Sequence, residues 1–193
     1  METAGYATLS RQSGLMREMQ IVANNIANSA TTGYRQEGVV FSEYVRDISH
    51  GPSLSMARAT IRNTSMEQGP LTQTNGQFDL AIEGDGYFMV ETANGERLTR
   101  SGSFSPNADG DLVTMNGDRV LDAGGTPVFV PPDATTLHVA PDGTFSADGK
   151  PLGQIGLYQP TDPLAMVRED GVLFHSEGGT EPAENARIVQ GFL

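Results

Sequence analysis

Seven Asn-Gly or Asp-Gly pairs stand between residues 85 and 171, and they constrain this chain more than any other feature. They fall at 85–86, 94–95, 109–110, 116–117, 142–143, 148–149 and 170–171. Such a pair can supply the positive-φ residues of a type I′ hairpin turn, and glycine is a poor helix former. Between the pairs, apolar residues run with period two. Phe78, Leu80 and Ile82 alternate with Asp79 and Ala81, and Tyr87-Phe88-Met89-Val90 follows. Leu112, Val120-Leu121, Val128-Phe129-Val130, Leu137, Val139, Ile155, Leu157-Tyr158 and Leu173-Phe174 continue the series. Alternation of this kind marks β-strands. The spacing predicts an all-β body of short antiparallel strands over 69–193, with no helix longer than a turn. Hairpin turns are expected at Asn94-Gly95, Asn116-Gly117 and Asp142-Gly143, with Phe78, Leu80, Ile82 and Phe88 inside.

The N-terminal region obeys a different rule. Leu9, Met16 and Ala23 are spaced by seven, and so are Gln12, Met19 and Ile26. The two series interleave as the a and d positions of a heptad, with Gln12 the one polar member. A helix from about Thr3 to Asn28 follows, the fold class being mainly β with one long N-terminal helix. Asn24, Asn25 and Asn28 crowd its last turns, where they lower helix propensity. Ser29 to Gly33 then reads as a loop. The stripe has two readings, a helix lying on its own domain or a helix that meets a partner. Further on, Phe41, Tyr44, Val45 and Ile48 recur at i, i+3, i+4 and i+7, the spacing of a short helical turn ended by Gly51-Pro52. Residues 53–68 alternate weakly, so 35–68 reads as an extended or partly helical connector.

Charge divides the chain at a similar place. Residues 1–62 carry a net charge of +1, and residues 63–193 carry −13. A total of −12 with a single lysine, Lys150, argues against a nucleic-acid partner, because phosphate backbones reward clustered cations. The longest apolar runs are far shorter than the ~20 residues that span a bilayer, so no membrane insertion is expected. No cleavable leader is written at the N-terminus. The absence of cysteine excludes disulfides and thiolate chemistry.

No constellation for catalysis is apparent, and neither a cofactor nor a metal is expected. His50, His138 and His175 stand far apart, without metal-ligand spacing. Asn107-Ala108-Asp109-Gly110-Asp111 superficially resembles a calcium loop, but its glycine falls short of the sixth position and no Glu occupies the twelfth. Glu83-Gly84-Asp85-Gly86 leads into a strand, which makes it a turn and not a dinucleotide loop. The composition suits a non-enzymatic chain.

Ala23-Asn24-Asn25-Ile26-Ala27-Asn28, with Thr32-Gly33-Tyr34-Arg35 after it, resembles the N-terminal signature of the bacterial flagellar axial family of rod, hook and hook-associated proteins. Three further blocks agree in order: 69–75 with 79–88, Arg100-Ser101-Gly102-Ser103-Phe104 with Asn107, Gly110 and Leu112-Val113, and Val189 to Leu193. The short span from Tyr34 to Gly69 points to a proximal rod member, with a distal rod or hook-type member as the alternative. A secreted β-rich binding module is the competing class, and a heptad helix has no use there.

The resemblance implies a structural subunit of the basal-body rod in the periplasm, transmitting torque and exported uncleaved by the flagellar type III apparatus. Its implied partners are other rod proteins, the distal rod protein among them, and the export apparatus. Leu9, Met16, Met19, Ala23 and Ile26 would be axial packing positions in a coiled-coil-like seam. Asn24, Asn25, Ala27, Asn28, Thr32, Gly33, Tyr34 and Arg35 carry the family motif, with 1–34 as axial helix and hinge. The family continues into a C-terminal amphipathic helix, whereas this sequence stops at Leu193. The 193 residues alone are therefore expected to be monomeric.

Overall fold

The computed structural model describes residues 2–46 and 54–193. The chain forms two compact units, one of Met1–Ala30 with Arg35–Met66 and one of Thr31–Tyr34 with Glu67–Leu193.

In the first unit, helix α1 (Glu2–Ala27) packs along a hairpin of β1 (Glu37–Arg46) and β2 (Leu54–Thr64). The strands pair antiparallel from Glu37 opposite Thr64 to Arg46 opposite Leu54, with a bulge between Val40 and Phe41. The helical turn expected at Phe41–Ile48 is therefore corrected to strand as far as Arg46. Ile48, His50 and Gly51-Pro52 lie outside the described residues. Val39, Val40, Phe41, Tyr44 and Val45 are β-branched or aromatic, which suits a pleated strand. Local spacing gives no sign of the ten-residue ladder supplied by β2, and the ladder decides the conformation.

The second unit is the β body. Its largest sheet runs, in spatial order, Met166–Asp170, Leu173–Ser176, β5 (Gly95–Thr99), β4 (Tyr87–Thr92), Arg119–Val120, Leu112–Thr114 and Phe104–Pro106. Leu157–Pro160 also pairs with β4 and carries Thr180–Pro182 on its outer edge. Leu137–Val139, Thr144–Ala147 and Lys150–Gln154 make a three-stranded sheet, and β3 (Leu80–Glu83) pairs with Arg187–Gln190. Every pairing is antiparallel, as short connections allow. A single 3₁₀ turn at Pro163–Ala165 is the only helical element described in this unit.

Strand β4 is buried on both faces, a difference from one-sided alternation. Phe88 and Val90 enter a core with Leu80, Ile82, Phe104, Val120, Val130 and Ile188. Tyr87 and Met89, one residue out of phase, enter a second core with Leu98, Leu121, Met166 and Phe174. Side chains alternate across a strand, so a sheet between two clusters buries every position. Phe88 meets Phe104 edge-on at 5.1 Å between centroids, and Tyr87 meets Phe174 at 6.0 Å. Of the four residues expected inside, Leu80, Ile82 and Phe88 are buried and Phe78 is half-buried against the first core.

Turns sit at Asn94-Gly95, Asn116-Gly117 and Asp142-Gly143, each joining antiparallel strands. Their geometry corrects the type I′ expectation. The glycine has positive φ in six of the seven pairs, but the preceding residue shares it only at Asp148. Asp148-Gly149 alone is therefore a type I′ loop; elsewhere glycine alone takes the left-handed position. Asp and Asn side chains brace several of these turns: Asp142 accepts from the Thr144 N–H, and Asn107 accepts from the N–H groups of Asp109 and Asp111. The latter contact accounts for the calcium-like loop as a braced turn. Asn75-Gly76 is a further pair, with Asn75 at φ 58°.

The body begins and ends in one place. Thr72 and Leu193 exchange both backbone hydrogen bonds, at 2.7 and 2.9 Å, and Thr74 donates to Gly191. The chain thus enters and leaves the body side by side.

Candidate functional site

At about 100° per residue, α1 presents two opposite sides. Gly14, Ile21, Asn25 and Asn28 recur at helical spacing on the side turned to the hairpin, and Ile21 is only 4% exposed. The heptad stripe occupies the other side. Leu9 is 61% exposed, Met16 63%, Met19 72% and Ile26 69%, and Ala23 is exposed between them. Leu15 and Val22 are exposed beside the stripe. The helix that meets its own hairpin therefore uses a face of small and polar residues, which a search for apolar spacing overlooks. Its one conspicuous signal is Ile21.

Asn25 is the main polar fixture of that face. Its Nδ2 donates to the Glu37 carbonyl at 2.8 Å, and its Oδ1 accepts from the Glu37 N–H at 3.0 Å. One amide side chain thereby matches both backbone groups of the first residue of β1, as a neighbouring strand would. Asn28 returns its Nδ2 to the Asn24 carbonyl at 2.9 Å, and the Ser29 hydroxyl bonds the Ile26 carbonyl at 2.9 Å. Both carbonyls also accept backbone N–H groups, from Asn28 and Ser29, so the side chains add a second bond to each at the helix end. Arg35 is buried and donates to the Ser65 carbonyl at 3.2 Å. Asn24 and Ala27 are exposed.

Thr31 to Tyr34 belong to the body. Gly33 has φ +74°, and a Cβ there would lie 2.3 Å from the Ser101 nitrogen and 2.5 Å from the Arg100 carbonyl carbon. Backbone cannot yield that space, so the position requires glycine twice over. Tyr34 presents its ring to the Arg168 guanidinium at 4.5 Å, and Arg168 lies 4.5 Å from the Phe174 ring as well. Thr32 is half-buried. The motif thus joins two sets of contacts, Asn25, Asn28 and Arg35 in the first unit and Gly33 and Tyr34 in the second.

Charged groups in the body brace strands. Arg97 is buried and makes a two-pronged contact with Glu169, at 2.6 and 3.1 Å, which holds that carboxyl below its ordinary range. Arg187, which is exposed, makes a single contact with Glu83 at 2.8 Å that also holds that carboxyl below its ordinary range. Arg100 donates to the carbonyls of Gly84 and Gly86 and so fixes the Glu83–Gly86 turn. His138 is exposed and His175 half-buried. No group of three or more His, Asp or Glu that could hold a metal occurs among the described residues.

The chain matches two family models, "Flagella basal body rod protein" over residues 6–35 and "Flagellar hook protein FlgE/F/G D1 domain" over residues 81–147. The first covers α1 and the motif, and the second covers the body from within β3 to the strand at Thr144–Ala147. The flagellar basal-body rod protein FlgF of Caulobacter vibrioides is 40% identical over the whole chain, which spans 81% of that protein. The rod protein FlgG of Bacillus subtilis is 35% identical over 93% of the chain and 76% of its own length. The hook protein FlgE of Rhizobium meliloti is 36% identical over 84% of the chain but only 42% of its own length. Extended similarity thus falls to FlgF and FlgG, while the hook protein shares less of its length. This chain belongs to the flagellar rod and hook family, as a structural axial subunit of the basal-body rod.

Proposed function

We propose that α1 is the axial assembly element of this rod subunit, and that Leu9, Met16, Met19, Ala23 and Ile26 pack in a helix–helix seam with other axial proteins. One observation carries the reading. The apolar stripe lies opposite the hairpin, so the helix is held by one face and keeps the other open. Burying Leu9, Met16, Met19 and Ile26 is worth at most about 1.5–3 kcal/mol each. Their sum, about 6–12 kcal/mol, is comparable to the ~4–15 kcal/mol that association costs. A single seam therefore breaks roughly even, and the 193 residues alone are monomeric. Stable assembly needs several seams around one axis.

In this reading residues 1–34 are axial helix and hinge, 35–68 the connector and 69–193 the outer body. The C-terminal amphipathic helix that the resemblance implies supplies one partner for the stripe. The chain performs no catalysis. It sits at a proximal position in the periplasmic rod, contacts the distal rod protein, transmits torque, and reaches its place uncleaved through the flagellar export apparatus. The absence of cysteine and the modest hairpin-rich body suit a chain that must travel unfolded.

Met19→Asp and Ile26→Lys test the seam. Each would bury a charge without a partner on assembly, while in the free chain it lies in water. Both variants should keep the far-ultraviolet signal of α1 and the melting of the body, be absent from isolated basal bodies, and fail to restore swimming. Incorporation into basal bodies that survives both substitutions would assign assembly to the body instead.

A further inference from the structure

We propose that Arg168 is a positioning residue for the segment that follows the axial helix. It holds Tyr34 in the body by stacking between the Tyr34 and Phe174 rings. The proposal goes beyond the assembly reading, and its test is made on the free chain.

Arg168 lies in the strand Met166–Asp170, at the edge of the large sheet, 134 residues from Tyr34 in sequence. Its guanidinium carbon sits 4.5 Å from the centroid of each ring, within the ~6 Å at which a cation is drawn to an aromatic face. A hydrogen bond from Arg168 to the Gly171 carbonyl holds the group from its own hairpin. One residue earlier, Gly33 lies against the backbone of Arg100 and Ser101 closely enough to exclude any side chain. Arg100 is itself fixed by the Gly84 and Gly86 carbonyls and lies 5.8 Å from the Tyr87 ring. Tyr34 also donates its N–H to the Thr31 carbonyl at 3.1 Å, closing the segment into a turn. Thr31–Tyr34 is thus a turn seated on two arginine-centred supports, and Arg168 supplies the one that reads a side chain.

The chemistry makes distinct demands. A planar cation can stack on two rings at once, whereas an ammonium is a compact point charge. The ring face of Tyr34 meets the Arg168 guanidinium. Tyr34→Leu keeps apolar bulk but loses the quadrupole.

Amide hydrogen exchange at residue 34, with Phe88 and Val90 in β4 as internal references, tests the assignment. Arg168→Ala and Tyr34→Leu should each speed exchange at residue 34 about tenfold while leaving the two references unchanged. Arg168→Lys should fall between alanine and wild type. Arg168→Ala also removes the stack on Phe174, so Tyr34→Leu, which leaves the Arg168 hairpin intact, is the second arm. Unchanged exchange at residue 34 in Arg168→Ala or in Tyr34→Leu would overturn the proposal.

Discussion

Two adjacent asparagines of the family motif should respond oppositely to alanine. Asn25 makes two hydrogen bonds to the backbone of Glu37, and their contribution is about 0.5–1.5 kcal/mol each. Asn24 is exposed, and only its backbone carbonyl takes part in the helix end. Alanine at either site gains about 0.5 kcal/mol of helix propensity over asparagine. Asn25→Ala should therefore lose about 0.5–2.5 kcal/mol net, and Asn24→Ala should be neutral or slightly stabilising. In a unit of this size 1 kcal/mol moves a melting midpoint by roughly 4–8 °C. Circular dichroism at 222 nm, dominated by α1, would follow both variants. The pair should differ by at least several degrees, with Asn25→Ala the lower. Equal losses at the two sites would refute the reading that Asn25 acts as a side-chain strand partner for β1.

Other expectations concern the body. Gly102 lies so close to β3 that a Cβ would stand 1.6 Å from the Leu80 carbonyl oxygen, so Gly102→Ala should prevent the body from folding, as seen in lost amide-shift dispersion. Phe88→Ala, in the first core, should cost about 3–5 kcal/mol in urea unfolding. Asp148 is held below its ordinary value by hydrogen bonds from the Thr135 hydroxyl and the Thr136 N–H and hydroxyl, and Asp142 by those from Thr144. A lowered folded-state pKa adds stability above the unfolded value, near 4, that is lost as pH falls through the folded value. Melting of the body should therefore decline below about pH 4, and Asp148→Asn should flatten that decline while lowering the midpoint near neutrality. Glu169→Gln should lower the melting of the body, since it leaves the buried Arg97 guanidinium without its counter-charge.

The sequence carried unequal signals for these features. Asn-Gly and Asp-Gly pairs are local instructions, so strand boundaries and hairpins could be read from them. Whether a pair forms a type I′ loop depends on flanking register, and only Asp148-Gly149, between the directly paired Ala147 and Lys150, meets that condition. The heptad of Leu9, Met16, Met19 and Ile26 was legible because apolar residues at regular spacing stand out in a polar helix. The opposite face was not, because Gly14 and Asn25 contribute close approach and hydrogen bonding instead of apolar area. The strand at Glu37–Arg46 was hidden for a third reason. Its apolar residues fit a helical period by coincidence, and its ladder partner, Leu54–Thr64, is not indicated by the local pattern. The partnership of Tyr34 and Arg168 is farther still from local pattern, since nothing near either residue names the other.

The chain contains no cysteine, so a single Met19→Cys substitution gives a unique probe of the stripe. Met115→Cys, on an exposed turn of the body, serves as the reference. Maleimide labelling of isolated basal bodies built with each variant, compared with the free chains, tests the central claim most directly. The account predicts that Cys introduced at Met19 labels fully in the free chain and is protected in assembled rods, while the probe at Met115 remains the more reactive of the two. Equal labelling of the Met19 probe in free chain and rod would contradict it.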